Sequence, residues 1–206
     1  MSTASPFLTV EHVIPAQHIR EYPRATANEQ EEVLHLAVKQ YIPLDNPNPQ
    51  HGDVTIIGAH ANGFPKVRYL PTLVLVPYSQ YEPVSNDFGL LKEVYEPLWE
   101  ELYRHSKASN GAFRIRSIWI ADVAQQGQSY ILNERLLGND RKFSLSLLDG
   151  ISPFIDHTCI ASWFDHSRDL LHLINVKRKE MPLPIVGIGN SLGAVQLLVS
   201  RSLPSI

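Results

Sequence analysis

Towards the end of this 206-residue sequence the run Pro184-Ile185-Val186-Gly187-Ile188 leads into Gly189-Asn190-Ser191-Leu192-Gly193, and Ala194-Val195-Gln196-Leu197-Leu198 follows. No other stretch restricts the fold so tightly. A short β-branched run, a G-x-S-x-G pentapeptide and a second apolar run read as strand, sharp turn and helix, the signature of a nucleophile elbow. The two glycines let strand and helix approach closely around a strained serine, and the turn pushes the hydroxyl out at the carboxyl edge of a parallel sheet. Ser191 is the candidate nucleophile on this reading. Two other readings stay open. Ser191 caps a glycine-rich helix entry, or Gly187, Gly189 and Gly193 form a loose dinucleotide loop. The dinucleotide fingerprint wants an acidic residue about 20 positions further on, and residues 195–206 hold no acid and no histidine.

The rest of the chain alternates strands with helices. Phe7 to Pro15 and Glu32 to Pro43 are expected as an antiparallel pair of strands, the second with Leu34, Leu36 and Val38 on one side and His35, Lys39 and Tyr41 on the other. Asp45 to Gly52 is a turn. Val54 to Ala59 is a buried strand running into the loop His60-Ala61-Asn62-Gly63-Phe64-Pro65, and Phe113 to Ala121 is an apolar strand ending at Asp122. Helices are expected over Glu93 to Ser106, with Val94, Leu98, Trp99 and Leu102 at helical spacing, and over Ser162 to Asn175, with Ser162 as its cap. Pro97 falls in a first turn, where it is tolerated. This order implies an α/β fold with a mostly parallel sheet opened by an antiparallel pair.

Two stretches break the rhythm. Val67 to Leu91 holds three prolines, three tyrosines and an apolar run without a clear period, and Arg141 to Ala161 separates Gly138-Asn139-Asp140 from the helix at Ser162. A net charge of −3 and a pI near 6.3 supply no basic field, so nucleic acid and anionic membrane are poor partners. No apolar run reaches the roughly 18 to 20 residues of a membrane helix. The single cysteine, Cys159, has no internal disulfide partner, and no signal-peptide pattern opens the chain, which points to a reducing compartment. The length suits one domain, residues 1–206, and no cofactor or metal is expected.

Five stretches carry a family likeness: Gly58-Ala59-His60-Ala61-Asn62-Gly63-Phe64-Pro65-Lys66, Tyr95-Glu96-Pro97-Leu98-Trp99, Asn133 to Asp140, Ser162 to Asp169, and Pro184 to Gly193. Together with the turn Asp122-x-x-x-x-Gly127-x-Ser129, they resemble the fungal peroxisomal α/β-hydrolases related to a yeast peroxisomal lipase. Within that group the chain looks most similar to the abhydrolase proteins of host-selective toxin clusters that serve synthesis of epoxy-decatrienoate esters. The family carries His and Met beside its elbow serine, where this chain has Asn190 and Leu192. It also continues past the elbow to its acid and histidine, in the chain order such hydrolases use. The resemblance therefore implies an α/β-hydrolase sheet truncated after the elbow, with residues 67–92 and 141–161 as insertions or translated introns. Removing 67–92 joins Lys66 to Glu93 as the family has it.

Such a protein acts on an acyl ester or thioester, with a small-molecule acyl substrate as its partner. The alternative is a catalytically inactive remnant or acyl-binding protein. The resemblance implies peroxisomal residence, although Pro204-Ser205-Ile206 is not a Ser-Lys-Leu type address, which leaves the cytoplasm open. The oxyanion hole is expected from the backbone N–H groups of Leu192 and Phe64. His60 is expected to shape its loop rather than act as a base. Asp122, Gly127 and Ser129 are expected in a structural turn. His166 with Asp165 and Asp169 is read as a solvated helix face in preference to a metal site.

Overall fold

The computed structural model describes residues 5–22, 25–61, 92–108, 113–138 and 163–202. Phe64, Ser162, Cys159 and the interiors of both irregular stretches lie outside the described residues. Five strands, β1 (Phe7–Pro15), β2 (His35–Pro43), β3 (Val54–Ala59), β4 (Ile115–Ala121) and β5 (Ile185–Gly189), form one sheet in the order β1-β2-β4-β3-β5. β1 pairs antiparallel with β2 and β2 antiparallel with β4, whereas β3 runs parallel to both β4 and β5. The sheet is α/β as expected, with its parallel half around β3. A crossover between parallel strands needs a helical connection. Helix α1 (Glu96–Ala108), preceded by the 3-10 turn Glu93–Tyr95, lies between β3 and β4, α3 (Trp163–Val176) lies between β4 and β5, and α4 (Leu192–Ser202) follows β5.

Both faces of the sheet are covered. Ile57 and Trp119 join Leu36 and Val38 in a core with Leu170 and Leu173 of α3, while Ile56, Ile118 and Ile120 pack with Trp99 of α1 and Tyr41 on the other side. Period-2 alternation sends neighbouring strand residues to opposite faces, so each strand serves two cores. Gly58 is needed where it stands, because a Cβ there would lie 2.9 Å from the Trp99 ring.

Three details depart from the sequence reading. The packed face is Tyr95 of the 3-10 turn with Trp99, Leu102 and Tyr103 of α1, rather than the side of Val94, which is 70% exposed. α4 buries Gly193, Gln196 and Ser200, and turns Val195 and Leu198 outward. A further helix, α2 (Gly127–Asn133), forms where only a turn was read. Its Ser129 and Asn133 stand at i and i+4, one helical turn apart. The Ser129 hydroxyl accepts from the Ala37 N–H at 2.8 Å, and the Asn133 amide exchanges bonds with the N–H and C=O of His35 at 2.7 Å. These side chains satisfy the end of β2 that β4 does not reach.

Candidate active site

The parallel strands β3, β4 and β5 all end at one edge of the sheet, and the chemistry-bearing residues collect there. β5 ends at Gly189, Asn190 follows, and Ser191 takes φ +53°, the only non-glycine residue with positive φ among the described residues. That backbone conformation costs a residue with a Cβ on the order of 1–2 kcal/mol, so the surrounding packing must enforce it. Gly189 and Gly193 do so. A Cβ on Gly189 would lie 2.7 Å from the Ala194 nitrogen, and one on Gly193 would collide with the carbonyls of Ala59 and His60. Strand β5, helix α4 and the end of β3 are thereby closer than any side chain at those positions permits. The glycines serve this three-way packing rather than a dinucleotide loop.

Ser191 itself is exposed. Leu192, half-buried, is the first residue of α4, and the first N–H groups of a helix have no intrahelical acceptor. Its N–H belongs to that set, pointing away from the helix body beside the serine. Phe64, expected to give the second donor, lies outside the described residues.

Behind the elbow sits a buried polar cluster. His60, 1% exposed, hydrogen-bonds the Ala61 carbonyl through Nδ1 at 2.9 Å, and its Nε2 accepts from the Val123 N–H at 3.3 Å. Those two partners require the neutral tautomer with the proton on Nδ1. Burial pushes the imidazole below its ordinary value, in the same sense. Both nitrogens are engaged with the backbone, so His60 shapes its loop.

Asp122, at the end of β4, is fully buried. Its Oδ2 accepts from Lys92 Nζ at 2.5 Å and from the Gln128 N–H at 2.9 Å. Burial raises its carboxyl above the usual range, against the pull of the Lys92 ammonium. Gly127, at φ +57°, is required because a Cβ there would lie 2.6 Å from the Asp122 carboxylate. Asp122, Gly127 and Ser129 thus join the end of β4 to the start of α2, in the structural role expected of them. Lys92, the last residue of the stretch read as an insertion, is only 4% exposed and also lies 3.6 Å from Glu93.

The helix face of Asp165, His166 and Asp169 is a correction to the sequence reading: it is buried, not solvated. Asp169 accepts from Arg20 and from the Gln17 N–H, both at 2.9 Å, and Asp165 accepts from the Glu21 N–H at 3.0 Å. These carboxylates clamp residues 17–21 onto α3. Periodicity hid this, because the partners lie about 150 residues away. His166 is fully buried with no hydrogen-bond partner on either ring nitrogen among the described residues, and burial lowers it to about 3. Its ring centre lies 6.3 Å from that of His60. Among the described residues no group of three His, Cys, Asp or Glu side chains is arranged to hold a metal ion, and no helix is long and apolar enough to cross a membrane.

The sequence reading missed Tyr95. Its hydroxyl donates to the Ala59 carbonyl at 3.3 Å, and the same carbonyl accepts from the Asn190 N–H at 3.4 Å. Only its membership of a family-like stretch could have marked it.

No family model matches the sequence. It is 39% identical over 194 residues to the type I acyl-CoA thioesterase mpaH′ of Penicillium brevicompactum, an alignment covering 94% of this chain and 33% of that protein. It is 38% identical over 188 residues to the type I acyl-CoA thioesterase mpaH of Penicillium roqueforti (strain FM164), covering 91% and 31%. The chain thus spans about a third of the length of the curated relatives it matches. Among solved structures, the peroxisomal alpha-beta-hydrolase Lpx1 of Saccharomyces cerevisiae superposes with a TM-score of 0.60 at 17% identity, over 95% of this chain and 40% of that one. With a strained serine between β5 and α4, and with that superposition, the chain is built on the α/β-hydrolase fold.

Proposed function

We propose that this chain carries the nucleophile half of a serine hydrolase or acyltransferase acting on an acyl ester or thioester, with Ser191 as nucleophile and the N–H groups of Leu192 and Phe64 as oxyanion donors. The observation that carries the reading is Ser191 at φ +53°, exposed between two glycines that admit no side chain. Strain of this kind persists where the surrounding structure over-determines it, and it clusters at functional sites. Thioesterase relatives support an acyl-CoA thioester as the substrate class. The family likeness supports a place in fungal toxin biosynthesis, and the peroxisomal neighbour supports residence in that organelle. Residues 1–206 form one domain, in which 67–92 and 141–161 are insertions.

The test is hydrolysis of p-nitrophenyl esters and of acyl-CoA by the protein and by Ser191→Ala. Turnover abolished in the variant is the expected result. Turnover equal in both would remove Ser191 from the role.

A second reading, an acyl-binding protein without turnover, is favoured by one observation. Among the described residues no histidine or carboxylate hydrogen-bonds the Ser191 hydroxyl, and an unactivated serine is a weak nucleophile. Saturable binding of a non-hydrolysable acyl thioether without turnover of the thioester would support it.

A further inference from the structure

The Ala59 carbonyl, at the last residue of the central strand β3, is a junction. It accepts from the Asn190 N–H at 3.4 Å and from the Tyr95 hydroxyl at 3.3 Å, and it is one of the atoms against which Gly193 packs without a side chain. Three elements therefore meet on one oxygen: the residue before the nucleophile, the first turn of α4, and the 3-10 turn leading into α1. The Asn190 amide also lies close enough to the Tyr95 oxygen to pull the phenol down, against burial that raises it. Tyr95 is held in place by its ring, which stacks on the fully buried Trp99 with centres 5.5 Å apart.

We propose that Tyr95 is a positioning residue of the elbow, its hydroxyl tying the Asn190 peptide and the end of β3 together so that Ser191 and the Leu192 N–H keep a fixed relation to the loop that begins at His60. The inference rests on the reading of Ser191 as nucleophile, and the geometry accounts for how it would work. Asn190 immediately precedes the strained residue, and its N–H belongs to the Gly189–Asn190 peptide, so holding that N–H fixes the peptide plane from which the chain enters Ser191. The Ala59 carbonyl belongs to the peptide that orients His60. A hydroxyl bridging the two restrains elbow and loop against each other, which is what an oxyanion hole with donors on two elements needs. Preorganised donors contribute only when aimed at the developing charge.

Tyr95→Phe removes the hydroxyl and keeps the ring on Trp99. Amide hydrogen exchange at Asn190 should rise by about tenfold, the order expected for one lost hydrogen bond, while Ile118 in β4 is unchanged. Ser191 labelling by a fluorophosphonate should fall in its maximal rate and not in its half-saturating concentration. Exchange at Asn190 that is the same in both proteins overturns the proposal. A wild-type Ser191 that takes no label sinks the nucleophile reading alone, since the exchange measurement still decides on Tyr95. If Tyr95→Phe does not fold, fluorotyrosine incorporation into the otherwise wild-type chain gives the answer. The Asn190 amide shift should then titrate with the Tyr95 phenol, and an amide shift that ignores that titration overturns the proposal equally.

Discussion

Ser191 is the residue on which the local energetics can be tried most directly. Glycine tolerates its φ of +53° and alanine does not, so Ser191→Gly should raise stability by about 0.5–1 kcal/mol while Ser191→Ala leaves the strain in place. Urea denaturation of both variants measures the difference. Gly193→Ala drives a methyl group into the Ala59 and His60 carbonyls and should cost about 1–3 kcal/mol, the range for overpacking a tight site. His166 makes a pH prediction. Its folded-state value of about 3 lies below the ordinary 6.5, so the unfolded chain binds the proton first between the two. Stability from this group is complete above pH 6.5 and is lost as the pH falls towards 3. Asp122, Asp165 and Asp169, all raised by burial, work in the opposite sense and destabilise as the pH rises through their own range. Comparing wild type with His166→Leu isolates the histidine. The variant's advantage should grow as the pH drops below 6.5, and a pH-independent difference would mean that His166 is not neutral and buried.

At the scale of elements, the 3-10 turn before α1 is anchored by charge. Lys92 bridges Asp122 and Glu93, and Glu93 in turn takes Lys39 Nζ at 2.8 Å. Removing one partner of a buried pair leaves an uncompensated charge and costs about 3–5 kcal/mol, so Lys92→Met should lower stability by that order, visible as a falling urea midpoint. The same lysine bears on the proposal that 67–92 is an insertion. Lys66 and Lys92 are the same residue type, so excising 67–92 places a lysine before Glu93 again. The deleted protein should keep the cooperative unfolding of the parent, and the deletion combined with Lys66→Met should lose the same increment as Lys92→Met. α2 shows how an element escapes a reading by period. Its fold-determining residues are Ser129 and Asn133, which bond to β2 backbone, and no apolar stripe announces it.

In the molecule as a whole, β5 has β3 on one side, and no described residue pairs with its other side. Val186 is 45% exposed there, with Leu183 and Leu198 exposed nearby at 74% and 69%. An unpaired edge with apolar side chains is a template for pairing with another chain. The 206-residue protein should therefore self-associate at micromolar concentration in light scattering, and Val186→Lys should reduce this. Excision of 67–92 and 141–161 should not, because neither change supplies a strand to pair with β5. A monomer at all concentrations would show that the edge is covered.

The strand–turn–helix at Ser191, the paired opening strands and the α/β order were legible in the sequence because they depend on near neighbours. A period of two, a proline and a pair of glycines act over a few residues, and the expected bounds of β1 and β3 match the observed ones. What the tertiary structure alone decided is how distant segments meet. Asp165 and Asp169 look solvated until Arg20 and the backbone of residues 17 and 21 arrive from the other end of the chain. Lys92 looks like the tail of a foreign stretch until Asp122 accepts its hydrogen bond, and Tyr95 has no visible role until the end of β3 and the elbow converge on one carbonyl. Burial and pairing of polar groups are properties of the assembled sheet, because the free energy of a buried charge depends on what packs against it, and sequence order does not reveal that neighbour.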